Sequence, residues 1–389
     1  MRVDAVVIGA GIVGASCAYF LAVGGLRVCI VERGGVASGT SGAGEGNILL
    51  SDKAPGPELE MAKRGLEVWK SLARELEDDF EFEEKGSIVV AETEANLRSL
   101  DASVAALCGA GVVAHALDAA TLREEEPYLA HDVAGAALFP GDAQVQPMLA
   151  SAALVRAARA RGAILLTHTT VRSIERDNKG AIRGVTADAH YIETPRVIVA
   201  AGPWSREIAA LAGINLPIQP RKGHIVVTEP LPRLIRHKVL EASYADTVQS
   251  GDAALQVAAV VEGTSSGTIL LGSSRQLVGF EPTVETHVVR AIVSRAVRYF
   301  PILASVHALR AYVGFRAFAP DHLPVVGAVP EAPGLYVNTG HEGSGICLGP
   351  ISGKLLSQLV LDQAPDLDMT PFRLARFAES QRTAALNHQ

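Results

Sequence analysis

The amino-acid sequence predicts an α/β fold, a parallel nucleotide-binding sheet joined to a strand-rich second lobe, on three observations. Residues 3–32 carry a strand, a glycine-rich turn, a helix and a second strand closed by an acid. A second glycine-rich turn opens a helix at residues 339–353. The chain has 389 residues, two to three times the usual domain size, so a nucleotide unit alone does not account for it.

The first strand is a short apolar run, residues 3–8, rich in β-branched side chains, the pattern of a buried parallel strand. Gly9, Ala10, Gly11, Ile12, Val13 and Gly14 follow as G-x-G-x-x-G, and a helical-period segment begins inside the motif. The first glycine turns the chain, the second admits a pyrophosphate to the backbone, and the third lets helix and strand pack closely. The helix start offers unpaired N–H groups and positive partial charge. Residues 27–31 form the second strand, and Glu32 ends it, where a carboxylate accepts hydrogen bonds from a ribose diol and disfavours a 2′-phosphate.

Composition narrows the class. Hydrophobic residues at 48% and charged residues at 20% are those of a globular protein, and a net charge of −7 gives no reason to expect nucleic acid. The four cysteines, Cys17, Cys29, Cys108 and Cys347, are far apart, which argues against a structural metal, an iron–sulfur cluster or a disulfide framework. The first strand starts almost at the N-terminus, leaving no room for a signal peptide, and no apolar run reaches the ~18 residues of a membrane span. A reduced, cytoplasmic setting is the expectation.

After Glu32 comes a glycine-rich loop, residues 33–47, too small and polar to pack a core. Its position directly after the ribose-binding strand predicts ligand contact by Arg33, Thr40, Ser41, Gly46 and Asn47, with the two hydroxyls free to donate to phosphate. Helical spacing predicts helices over residues 57–80, 92–110, 121–126, 148–161 and 284–300, with Trp69 in the core and Glu124, Glu125 and Glu126 on a solvated face. Short strands are predicted over 84–91, 164–167, 171–176, 182–187, 190–193, 255–261 and 268–272. A buried run at 196–200 ends in Ala201 and Gly202, a second backbone approach to the nucleotide.

Residues 311–327 place one arginine, Arg316, on a mostly apolar strand, where an unpaired cation is costly. Its partner is either an internal carboxylate or the carboxylate of a substrate held bidentately. The turn that follows, with His341, Gly343, Ser344, Gly345 and Ile346, opens a helix whose N-terminus faces a group that becomes anionic, as reduced flavin does.

Together these motifs resemble the D-amino acid oxidase superfamily of FAD-dependent oxidoreductases, the group of glycine and sarcosine oxidases. The resemblance spans essentially the whole chain. It rests on Gly9 to Gly14 with Glu32, residues 40–47, Ala200 to Gly202, Arg316 with Asp321, Pro324 and Gly327, and the run from Gly340 to Gly353. Glu45, Gly46 and Asn47, with His341, Glu342 and Gly343, look closest to the β subunits of bacterial D-hydroxyproline and opine dehydrogenases and to a subunit of hydrogen cyanide synthase.

The resemblance implies a discontinuous FAD-binding domain over 1–50, 140–220 and 310–389, and a mainly antiparallel substrate domain over 51–139 and 221–309. It implies that Val171 meets the adenine end and that residues 341–346 border the isoalloxazine. Where a glycine oxidase has a second arginine this chain has Gly343, which leaves the carboxylate to Arg316. Sarcosine oxidases attach flavin through a cysteine near the position of Arg316, and none occurs between Cys108 and Cys347, so non-covalent FAD is expected. The expected reaction is hydride transfer from a small amino acid, imino acid or opine to flavin, with other subunits as partners; the alternatives are a glycine, D-amino acid or sarcosine-type oxidase that uses oxygen, or an FAD electron-transfer subunit of a larger complex. Glu45 and Glu342 are the candidates for reading the substrate's cationic group, and Tyr244 and Tyr312 are weak site candidates.

Overall fold

The computed structural model describes residues 1–76 and 80–378. Strand β1 (Ala5–Ile8), helix α1 (Ile12–Val23) and strand β2 (Val28–Val31) form the expected βαβ unit, and both strands are fully buried. They are central in a six-stranded sheet ordered Val325–Ala328, Leu335–Thr339, Val197–Val199, β1, β2, Ile164–Leu166. All pairs are parallel except the first, so the strands at both ends of the chain deliver their C-termini to one edge. Helix Gly345–Val360 packs against α1, where a Cβ on Gly353 would fall 2.7 Å from the Ser16 Cβ.

The second layer is an eight-stranded sheet running from Ala308–Phe318 through Gln219–Thr228, Ile269–Arg275, Gln256–Gly263, Lys238–Glu241, Ser87–Ala91 and Gly135–Phe139 to His115–Leu117. It is antiparallel but for the pairing of Lys238–Glu241 with Ser87–Ala91. Two expected domain boundaries fall inside strands of this sheet, 220/221 within Gln219–Thr228 and 309/310 within Ala308–Phe318. The strand carrying Arg316 lies in the large sheet, paired along its length with Gln219–Thr228.

Helices form near their expected limits, Pro57–Glu75 and Thr286–Tyr299 among them; residues 77–79 of the first lie outside the described residues. Trp69 is buried, and its indole donates to the Ile346 carbonyl, fixing the second glycine turn from behind. Glu126 departs from the solvated face expected of it. It is fully buried and accepts from the backbone N–H groups of Arg236 and His237, a pairing across more than a hundred residues that a local charge run does not announce.

Candidate active site

A cleft of about 370 Å³ runs from the first glycine turn to the second, walled by both sheets. At one end Gly9 adopts φ +112°, and a Cβ there would lie 2.5 Å from the Ala200 carbonyl oxygen, so only glycine makes this turn. A Cβ on Gly14 would lie 2.0 Å from the Gly9 oxygen, which is the close helix–strand contact expected of the third glycine. Glu32 accepts from the N–H of Ala10 at 2.9 Å and of Gly34 at 2.8 Å, and each of its oxygens keeps further acceptor capacity.

The loop after β2 returns to the helix start. Ser41 Oγ accepts from the Ile12 N–H at 2.9 Å, which leaves its own hydrogen for an anion. Thr40 spends its hydrogen on the Phe315 carbonyl at 2.5 Å and so ties the loop to the large sheet. Arg33 lies over the Trp204 ring at 4.0 Å.

Of the residues singled out in the sequence, Gly9, Gly11, Ile12, Val13, Glu32, Arg33, Thr40, Ser41, Asn47, Val171, Ala201, Gly202, Arg316, His341, Gly343, Gly345 and Ile346 line this one cleft. Four lie behind the wall. Ala10 faces Glu32 through its N–H, Gly14 packs on Gly9, Gly46 abuts the Val145 carbonyl, and Ser344 donates to Glu58 at 2.7 Å. Thr170, Trp204, Gly223, Gly314 and Asn338 also line it, without being singled out by a sequence motif. Gly314 carried a signal, a glycine inside a strand where another backbone approaches.

At the other end the wall is charged. Arg221 and Arg316 are directly opposite in antiparallel register, an arrangement of like charges that costs stability unless an anion intervenes. Glu342 is that anion. Its backbone N–H donates to the Ala317 carbonyl at 2.9 Å and its φ is +45°, a strained value for a non-glycine residue held by its surroundings. Its Oε1 lies 3.4 Å from Arg275 Nε, 3.6 Å from Arg221 Nη1 and 3.9 Å from Arg316 Nε. The arginines hold the Glu342 carboxyl below its usual range although burial pushes it up.

His341 lines the cleft, and His224 is buried behind it with its ring against Ser274 and the Glu285 N–H. Burial drives His341 down to about 3, with its Nε2 3.1 Å from Ser352 Oγ, and burial with the Lys222 charge drives His224 down to about 4. Both are neutral at ordinary pH. Lys53 and Lys222 are each paired, with Asp52 and Glu285. Tyr244 lines the cleft, and its hydroxyl accepts from Arg275 Nη2 at 3.3 Å.

A long cleft that starts at a helix N-terminus beside a ribose-reading acid and ends at a second glycine turn fits an extended dinucleotide. The family model for FAD dependent oxidoreductases matches residues 4–359. The chain belongs to this family. It is 31% identical to the hydrogen cyanide synthase subunit HcnC of Pseudomonas aeruginosa, with 98% of each chain covered. It is 30% identical to the glycine oxidase of Geobacillus kaustophilus, over 96% of this chain and 97% of the relative. The crystal structure of that glycine oxidase superposes with a TM-score of 0.87 over 96% of this chain and 99% of the other, at 29% identity. L-Proline dehydrogenase from P. horikoshii gives a TM-score of 0.87 at 25% identity, over 97% and 98%. The protein is thus an FAD-dependent oxidoreductase with the D-amino acid oxidase type of fold. Among the described residues no helix is long and apolar enough to cross a membrane, and no cluster of residues could hold a metal ion.

Proposed function

We propose that this oxidoreductase dehydrogenates the C–N bond of a small amino acid, imino acid or opine whose carboxylate is held by Arg316. The observation that carries the reading is an imbalance of charge at the inner end of the cleft. Three guanidinium groups share one carboxylate, Glu342. Arg316 is the farthest of the three from it, and its side chain keeps 15% exposure where those of Arg221 and Arg275 keep 0% and 1%. It is the cation left for an incoming carboxylate. Glycine oxidase and L-proline dehydrogenase among the relatives support the substrate class.

FAD would be held non-covalently, its ADP half along Gly9, Gly11, Glu32, Ser41 and Val171 and its ring beside Asn47, His341, Gly343, Gly345 and Ile346; among the described residues no cysteine lines the cleft. Bound FAD supplies the acceptor for the hydride that leaves the substrate's α-carbon. The chain's share is to bind the carboxylate, orient the α-carbon and exclude water.

Arg316→Leu tests the reading. The variant should fold and keep its flavin, while kcat/KM for the amino acid falls by at least roughly thirty-fold, the loss expected for a desolvated charge pair. An amine without the carboxylate should lose much less. Equal losses for both substrates would take Arg316 out of the site.

The likeness to HcnC, named as a subunit of a synthase, supports a second layer of the reading. We propose that the chain is the FAD-containing β-type subunit of a heteromeric dehydrogenase, passing electrons to partner chains rather than to oxygen. Dye reduction by the purified chain without oxygen uptake is the expected result, and fast oxygen uptake would make it a free-standing oxidase.

A further inference from the structure

Among the described residues three carboxylates line the cleft: Glu32, Glu342 and Glu45. Glu32 is engaged by two backbone N–H groups at the nucleotide end. Glu342 is shared among three guanidinium groups, and its Oε2 takes the N–H of Gly343. Glu45 differs from both. It is 8% exposed, its Oε2 accepts from Asn47 Nδ2 at 3.1 Å, and among the described residues its buried Oε1 has no hydrogen-bond partner, as Glu342 Oε1 has none, but unlike Glu342 it also has no cation within ion-pair distance. Gly272 lies beneath the side chain, where a Cβ would come within 2.1 Å of Oε1. A buried carboxylate oxygen without a donor is costly, and because Glu45 lines the cleft a turn of its side chain would bring that oxygen to a donor on a ligand there.

We propose that Glu45 receives the substrate's amino group and takes one of its protons before the α-hydrogen leaves. The proposal rests on the C–N oxidation reading and adds the second half of substrate recognition: a zwitterion, with its carboxylate on Arg316 and its ammonium on Glu45. In the proton transfer an N–H bond of the ammonium breaks, an O–H bond forms on the Glu45 carboxylate, and the electron pair stays on nitrogen. That lone pair is what drives a hydride from the adjacent carbon. Glu342 does not serve here, because its charge is already consumed by the arginines.

The charges around Glu45 suit a proton acceptor. Lys238 and Arg316 favour its ionised form and Glu262 opposes it, while Arg275, Tyr244 and Tyr312 also feel its charge. Lys238 is itself paired with Glu262. Burial is the largest influence and raises the Glu45 carboxyl above its ordinary value, which makes its carboxylate the stronger base.

The experiment is the pH dependence of flavin reduction by a saturating amino acid without any terminal acceptor, in wild type and Glu45→Gln. Wild type should lose rate on the acid side as Glu45 becomes protonated. In Glu45→Gln that limb should move up to the pKa of the substrate's own amine, with a loss of about a hundredfold at pH 7 that shrinks to a few-fold once the amine is free. FAD content and melting temperature should be unchanged. The carboxylic acid lacking the amine, titrated against oxidised enzyme through the flavin absorbance, should bind the variant at least as well as wild type. A loss equal at every pH, or none, would overturn the role of Glu45 and leave the C–N reading standing. Failure of every carboxylate-bearing amine to reduce wild type would sink that reading and this one with it.

Discussion

The two ends of the cleft are built from different materials. The nucleotide end is backbone: Gly9, Gly11 and Gly14 set its shape, and Glu32 and Ser41 are locked by N–H groups of the same turn and helix start. The inner end is buried charge, with Arg221, Arg275, Arg316 and Glu342 brought together from three strands and a turn. A backbone site fails when a side chain is added, because a carbonyl cannot move aside. A charge site fails when one charge is removed, because its partners stay in low dielectric without compensation.

The largest effect should come from removing the anion of the cluster. Glu342→Gln takes from three guanidinium groups the carboxylate they share and should lower stability by ~3–5 kcal/mol, read by urea unfolding. Arg316→Leu, which leaves Glu342 its two closer arginines, should cost far less in the same measurement. Similar losses for the two would mean that Arg316 is an internal ion-pair partner, and the contrast with the nucleotide end would lose its functional meaning.

A smaller effect should come from the backbone end. Gly14→Ala drives a Cβ to 2.0 Å from the Gly9 oxygen and should cost about 1–3 kcal/mol, with FAD lost from the purified protein. Gly345→Val is the counterpart at the second turn, where a Cβ would meet only the His341 Cβ at 3.6 Å. Its melting temperature without flavin should hold while FAD content falls. Equal destabilisation of the flavin-free proteins would show that both turns are packing devices.

The smallest effect is titration. His341 and His224 are held neutral, at about 3 and about 4, against ~6.5 in an unfolded chain. As pH falls below ~6.5 the unfolded chain takes up protons that the folded chain refuses, so their contribution to stability drains away toward about 3. Asp142, raised by burial to about 6, acts in the opposite sense. The measure is therefore the difference between wild type and His341→Asn, whose melting temperature should fall less steeply from pH 6.5 to 4. Parallel curves would mean that His341 is solvated.

The difference between the ends also governs what could be read from the sequence. The βαβ unit, Glu32 and the second glycine turn were legible because each rests on backbone conformation and on neighbours within about thirty residues. Thr40 was expected to donate to phosphate; its hydrogen goes instead to a strand 275 positions away. Glu126 was expected in solvent and caps a distant loop.

The sequence by itself determined the nucleotide fold, the FAD-dependent family and the cleft's two glycine turns, because steric rules act on adjacent residues. Only the tertiary structure decided what Arg316 faces. Its choice between an internal carboxylate and a substrate depends on the cross-strand register with Arg221, on Arg275 from a third strand and on the turn that presents Glu342. Charge acts through space, and a chain states which charges it carries long before it states which of them will meet.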